Sequence, residues 1–219
     1  MRLPEEEARH VLKVLRGRSG DVLEVADADQ RLFLAELREG DEATVLEALQ
    51  TLEDGDIDLT LYQAVPKGGR MDLVVEKATE VGATRIAPLV TERGIVRPRD
   101  GKVERWRRVA QAAARQSLRL GVPEVAGPIG FFEAIREAGQ GGVLLQNDPE
   151  LEALEAVVPS PAALFIGPEG GWSEEELRSA EEAGLVLAQL GPYRLRSETA
   201  GMVAVARARA ALERSVRRL

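Results

Sequence analysis

The chain has 219 residues, 44% apolar and 30% charged, a balance that can build a buried core and excludes intrinsic disorder. It has no cysteine and one histidine, His10, which excludes disulfides, thiolate nucleophiles and Cys-based zinc sites and argues against a His-ligated metal or a Ser-His triad. The formal net charge is -8; no apolar run approaches the ~20 residues of a membrane span, and the charged N-terminus Met-Arg-Leu-Pro-Glu-Glu-Glu has no signal core, so a cytoplasmic protein is expected.

The opening segment is amphipathic, with Ala8, Val11, Leu12 and Leu15 at helical spacing, Pro4 near its start and Gly17 at its end. Residues 22 to 65 then alternate like short strands. The pattern predicts strands at Val22–Ala26, Leu32–Leu37, Ala43–Leu49 and Ile57–Val65, separated by Asp/Gly turns. Together they read as a small β-barrel ending at Pro66-Lys-Gly-Gly69, which gives domains of residues 1–66 and 67–219.

Beyond that boundary helical patterns alternate with short apolar runs. Helices are expected at Met71–Val81 and Val103–Leu118, and strands at Arg85–Val90, Val143–Gln146, Ala163–Ile166 and Val186–Leu190. Ser173 followed by Glu174-Glu-Glu176 is a capping box that opens another helix, and a last helix runs from about Ser197 to the C-terminus. Such alternation predicts an α/β fold with a mostly parallel sheet.

Charge is unevenly distributed. From Arg93 to Arg119 nine basic residues, including Arg97, Arg115 and Arg119, face only Asp100 and Glu104. That segment is either a nucleic-acid patch or a solvated helix face.

Ligands of open α/β sheets sit at the carboxyl ends of strands, so the informative loops are Gln146-Asn-Asp-Pro149, Gly167-Pro-Glu-Gly-Gly171 and Gly191 to Thr199. In the second loop, glycines flanking Pro168-Glu169 permit positive φ and close backbone approach to a ligand; the bland alternative is a tight turn. No Gly-x-Gly-x-x-Gly follows a first strand, and no phosphate-binding Gly-x-x-x-x-Gly-Lys-Ser/Thr is present. Hydride transfer and nucleotide hydrolysis are thereby disfavoured.

Ile166-Gly-Pro-Glu-Gly-Gly-Trp-Ser173 and Leu190-Gly-Pro-Tyr-Arg-Leu-Arg-Ser-Glu-Thr-Ala200 resemble the bacterial family that methylates N3 of a uridine in 16S ribosomal RNA of the small subunit. That family lies in the SPOUT superfamily. The likeness extends to His10-Val-Leu-Lys-Val-Leu-Arg16, Lys77-Ala-Thr-Glu-Val-Gly82 and Thr91-Glu-Arg93. It implies a SPOUT-type sheet with a C-terminal trefoil knot, a preceding PUA-like barrel, S-adenosyl-L-methionine as cofactor, and a homodimer. The resemblance assigns cofactor contacts to Leu145 and Gln146 after one strand, and to Ile166, Gly167, Pro168, Glu169 and Gly171 after the next. After the third strand it assigns them to Leu190, Gly191, Arg194, Leu195, Arg196, Glu198, Thr199 and Ala200. Departures from the family pattern are Arg115-Gln-Ser-Leu-Arg119, Ser197 in place of the usual threonine, and Tyr193 in place of a frequently basic residue.

For such a reaction Arg196 is the expected catalytic residue, stabilising the anionic imide of the uridine; the alternative is that it holds a structural carboxylate or a phosphate. Glu198 positions Arg196, binds substrate or offsets the helix dipole, and Glu169 is expected to order its loop. RNA phosphates are expected on Lys13, Arg16, Arg93, Arg97, Arg115 and Arg119. His10 is expected to be structural or RNA-contacting, and Trp106 and Trp172 to be packing residues. Competing functions are a non-catalytic RNA-binding ribosome-assembly factor and a related knotted enzyme acting on transfer RNA or ribose.

Overall fold

The computed structural model describes residues 1–27, 31–49, 57–96, 98, 100–119 and 121–216. The chain divides into two compact units, residues 1–55 and 56–219.

The first unit contains a short helix α1 (Glu5–Arg9), a π-helical turn (His10–Val14) and three strands, β1 (Val22–Ala26), β2 (Leu32–Leu37) and β3 (Ala43–Ala48). The strands form an antiparallel sheet in the order β1-β2-β3, with a register shift at Leu34/Ala35. Its small core joins Leu3, Ala8 and Leu37, with Val11 and Leu12 packed against them. Leu15, predicted to lie on the same face, is 62% exposed; the wider π turn carries it out of the 3.6-residue register that the pattern assumed.

In the second unit a seven-stranded sheet runs β10-β8-β9-β4-β5-β6, with β7 also on β5, and every pairing is parallel. The strands are β4 (Leu59–Ala64), β5 (Arg85–Val90), β6 (Glu124–Val125), β7 (Ile129–Gly130), β8 (Gly142–Leu145), β9 (Ala162–Ile166) and β10 (Val186–Ala188). The helices are α2 (Met71–Glu80), α3 (Asp100–Gln116), α4 (Phe131–Ala138), α5 (Leu154–Val157), α6 (Glu174–Glu182) and α7 (Ser197–Val216).

The strand predicted at Ile57–Val65 does form, but not in a barrel. As β4 it lies between β9 and β5 in the middle of the parallel sheet, so the boundary expected at residue 66 falls at 55/56. The alternation of apolar with polar residues in this run matched that of the strands before it. Helices cover both faces instead, and Gln63 is fully buried because its amide finds internal partners.

Period-two side chains divide the core into two layers. Leu59, Leu61, Ile86 and Leu164 pack with Val74, Val75, Trp106 and Ala204 on one face. Tyr62, Ala87, Leu144 and Phe165 pack with Phe131, Ala134 and Ala180 on the other. Trp106 and Trp172 are both buried, and their indole N–H groups donate to Asp72 Oδ1 and the Leu145 carbonyl at 3.0 Å each. The predicted capping box is present: Glu176 N–H donates to Ser173 Oγ at 3.2 Å, and Ser173 N–H to Glu176 Oε2 at 2.9 Å. Among the described residues no helix is long and apolar enough to cross a membrane.

An ion pair ties α5 and α7 to the end of the sheet. Arg207 donates from Nη2 to Glu155 Oε2 at 2.6 Å and from Nη1 to the Leu190 carbonyl at 2.6 Å. The hydrogen bond from Arg207 holds the Glu155 carboxyl below its ordinary value of 4.5, against the opposing effect of burial. Because the folded-state pKa is the lower one, this stabilisation is complete above the ordinary value and is lost as pH falls through the folded one. Glu155→Gln is therefore expected to cost about 1 kcal/mol at neutral pH and about 2–4 °C in Tm. Thermal melts at stepped pH check this: the gap to the wild type should close in acid below the ordinary carboxylate value.

Candidate active site

The carboxyl ends of β10, β8 and β9 are adjacent in the sheet, and the three loops leaving them enclose a cleft of about 710 Å³. This is the range of small-molecule sites. Leu145 and Gln146 come from the end of β8, residues including Ile166, Gly167 and Gly171 from the end of β9 and the loop after it, and residues including Leu190, Arg196 and Ala200 from the segment joining β10 to α7. Of the residues expected to touch a cofactor, the cleft gathers all but Glu198 and Thr199. It also takes in Asn147, Trp172, Leu177, Tyr193 and Ser197, to which the sequence assigned no cofactor contact.

The walls are held by hydrogen bonds between loops. Gln146 N–H donates to the Ala188 carbonyl at 2.9 Å and fastens the end of β8 to β10. Gly171, at φ +71°, turns the second loop, and its N–H closes on the Pro168 carbonyl at 2.9 Å. Glu176 is only 1% exposed, and its second carboxylate oxygen accepts from Glu92 N–H at 2.9 Å, tying the loop after β5 to the loop after β9. Arg93 reinforces that tie by donating from Nη1 to the carbonyls of Gly170 and Trp172 at 3.2 and 2.9 Å. Glu169 Oε1 accepts from Lys67 N–H at 3.2 Å, so this carboxylate orders the loop after β4 against the loop after β9.

Glu198 does not reach Arg196. It is buried beside the cleft, where Oε1 pairs with Arg70 Nη1 at 3.0 Å. Arg196 stands immediately before α7, and its carbonyl accepts Ala200 N–H at 2.8 Å. Its side chain is exposed at the cleft, and among the described residues no carboxylate is paired with it. Tyr193, also at the cleft, is 81% exposed.

The residues present fit S-adenosylmethionine. Leu145, Ile166, Leu190 and Ala200 offer an apolar bed for an adenine, while Gln146 Oε1 is a buried acceptor without an internal partner. An amino or ammonium donor of a ligand would satisfy that oxygen.

The cationic residues expected to meet RNA separate into different roles. Lys13 and Arg16 are exposed in the first unit, with Arg16 at φ +58°, and Arg115 is exposed on α3. Arg119 Nη1 donates to the carbonyls of Thr79 and Ala83 at 2.9 and 2.6 Å, closing the end of α2. Arg97 lies outside the described residues. His10 is exposed in the first unit.

A parallel α/β sheet with its ligand cleft across the ends of adjacent strands defines a nucleotide-cofactor enzyme, and residues 53–209 match the RNA methyltransferase domain family. More narrowly, the chain belongs to the family of ribosomal RNA small subunit methyltransferase E. It is 34% identical to that protein of Synechocystis over 96% of this chain and 73% of the relative, and 31% identical to that of Bacillus subtilis over 91% and 86%. Among solved structures, ribosomal RNA small subunit methyltransferase E of Neisseria gonorrhoeae bound to S-adenosyl methionine is similar at a TM-score of 0.78 and 34% identity, covering 94% of this chain and 89% of that one. A methyltransferase of Legionella pneumophila in complex with the same cofactor gives 0.79 and 31%, covering 96% and 91%.

Two arginines of one basic stretch should respond differently to removal. Arg93→Ala frees the carbonyls of Gly170 and Trp172 and is expected to weaken S-adenosylmethionine binding roughly tenfold. Arg115→Ala is expected to leave that affinity unchanged and to lower RNA affinity and its salt slope. Calorimetry with the cofactor and filter binding of RNA at several salt concentrations check the pair.

Proposed function

We propose that this protein transfers a methyl group from S-adenosyl-L-methionine to N3 of a uridine in 16S ribosomal RNA of the small subunit. The observation that carries the reading is Arg196, exposed at the cleft and free of carboxylate partners among the described residues. The bound cofactor supplies an activated electrophilic methyl group. The remaining work falls to this chain, which must present an acceptor nitrogen in line and stabilise it once its proton has gone.

A uridine N3 carries a proton and lies on the Watson-Crick edge, so the base must leave any pair before it can be approached. Loss of that proton to water spreads negative charge onto the flanking carbonyl oxygens. The Arg196 guanidinium, held at the start of α7, donates to one of those oxygens and stabilises the anion as it forms. Its planar fork suits this task, and it is spared from the neighbouring carboxylate because Glu198 is already paired with Arg70. Leu145, Ile166 and Ala200 exclude water from the cofactor side, and the loops fastened by Glu176 and Arg93 keep the acceptor and donor from drifting apart.

We read the first unit as a PUA-like RNA-binding domain presenting Lys13 and Arg16, and the second as the SPOUT catalytic domain. The C-terminal trefoil knot of this domain rests on the resemblance of Ile166–Ser173 and Leu190–Ala200 to the SPOUT family. We further propose a cytoplasmic homodimer. The small exposed residues Ala206 and Ala210, one turn apart on α7, favour close approach of a second helix.

The reading is tested by incubating small ribosomal subunits lacking the modification with enzyme and cofactor and identifying the product nucleoside by mass spectrometry. N3-methyluridine is expected; any other methylated nucleoside would displace the assignment. In the same assay Arg196→Ala should lower kcat by about 10² to 10³ with cofactor affinity little changed, since the charge it meets develops only in the transition state. Arg196→Lys should recover little of the loss. A defect confined to RNA affinity would make Arg196 a phosphate anchor.

A further inference from the structure

Gln63 is a fully buried polar side chain at the carboxyl end of β4, outside every motif that pointed to the site. Its Nε2 donates to the Ala64 carbonyl at 2.9 Å and to Ser197 Oγ at 3.0 Å. Ser197 Oγ in turn lies 2.7 Å from the Gly167 carbonyl.

Proton counting fixes the direction of this chain. Carbonyl oxygens only accept, so the single Ser197 hydroxyl proton must go to Gly167, and the hydroxyl must then accept from Gln63. The reversed amide would set two acceptors face to face at Ala64. The orientation adopted leaves Gln63 Oε1 buried without a partner, a cost offset by the two N–H donations. The side chain fits only because α7 has no Cβ at this point: one built on Gly201 would stand 2.1 Å from Gln63 Oε1.

We propose that Gln63 is a positioning residue for methyl transfer, acting through the Ser197 hydroxyl to hold the Gly167 wall of the cleft and the start of α7 in register. Gly167 opens the loop that bounds the cofactor side, and Ser197 directly follows Arg196. One buried amide thus sets the spacing between the wall that orients the methyl donor and the arginine that meets the acceptor. Gln63 touches neither, and its influence passes through Ser197.

The inference rests on the cleft being the cofactor site, and the experiment separates the two. Binding of S-adenosylmethionine to the full-length protein is measured by calorimetry for Gln63→Met, Ser197→Ala, the double variant, Ser197→Thr and Ala200→Leu, with thermal melts in parallel. Ala200→Leu fills the cleft and should abolish binding; wild-type affinity in this variant would overturn the cleft reading itself.

If that reading stands, Gln63→Met and Ser197→Ala should each weaken binding by roughly tenfold. The double variant should be no weaker than the weaker single one, because both break the same chain. Ser197→Thr, which keeps the hydroxyl, should bind as the wild type does. Additive losses in the double variant, or wild-type affinity in Gln63→Met, would overturn the positioning role. Should Gln63→Met fail to fold, the Ser197 variants decide: loss in Ser197→Ala with retention in Ser197→Thr supports the chain, and equal affinity in both overturns it.

Discussion

Three segments distant in sequence meet at the Gly167 carbonyl, and the shape of the cleft depends on that meeting. The loop after β9 supplies the carbonyl, α7 supplies the hydroxyl of Ser197, and β4 supplies the amide of Gln63 behind it. Gln63 and Ser197 are both buried, so neither can be solvated in place. A buried polar group without a partner costs more than an ordinary hydrogen bond returns. The segments are thereby constrained to one mutual arrangement in which Ile166, Gly167 and Arg196 face the same space.

The remaining walls use the same device with a charged acceptor. Glu176 is the third residue of α6, where its carboxylate completes the capping box and also reaches Glu92 N–H. A carboxylate accepting two backbone N–H groups near a helix N-terminus is well matched to its surroundings, which accounts for its near-complete burial without a cationic partner among the described residues. Arg93 completes the tie from the opposite side by donating to two carbonyls. A glycine-rich loop would otherwise sample many conformations. Anchoring it at both ends lowers the ordering cost of binding a ligand.

Much of this architecture was legible in the sequence because the core follows simple periods. The strand at Arg85–Val90 and the capping box at Ser173 emerge from patterning alone. The failure at β4 has a physical cause: the alternation at Ile57–Val65 read as a barrel strand, whereas Gln63 is fully buried and its amide N–H groups go to Ala64 and to Ser197, 134 residues away. No local pattern carries that information. Of the readings left open for Glu198, the pairing with Arg196 does not form: the charge it meets is Arg70 at the head of α2, and its place in the first turn of α7 agrees with the dipole reading. Ser197, Trp172 and Tyr193 lay within recognisable motifs yet gave no chemical signal of their own as cleft residues, because their contribution depends on the way the loops fold back together.

The arginines of this acidic chain divide by what surrounds them. Arg93, Arg119 and Arg207 each place Nη1 on backbone carbonyls at loop or helix ends, satisfying acceptors that the chain itself leaves open. Several donors in a rigid plane make arginine effective as such a clamp, and lysine would not reproduce the geometry. Local positive charge in the sequence is therefore not equivalent to charge available for RNA. In the stretch from Arg93 to Arg119, Arg105 is paired with Asp72 and Arg107 with Glu104. Arg194 and Arg196, by contrast, are exposed at the cleft and lie outside that basic stretch. Placing cations there puts a local field of positive sign at the cleft, while the chain as a whole stays negative.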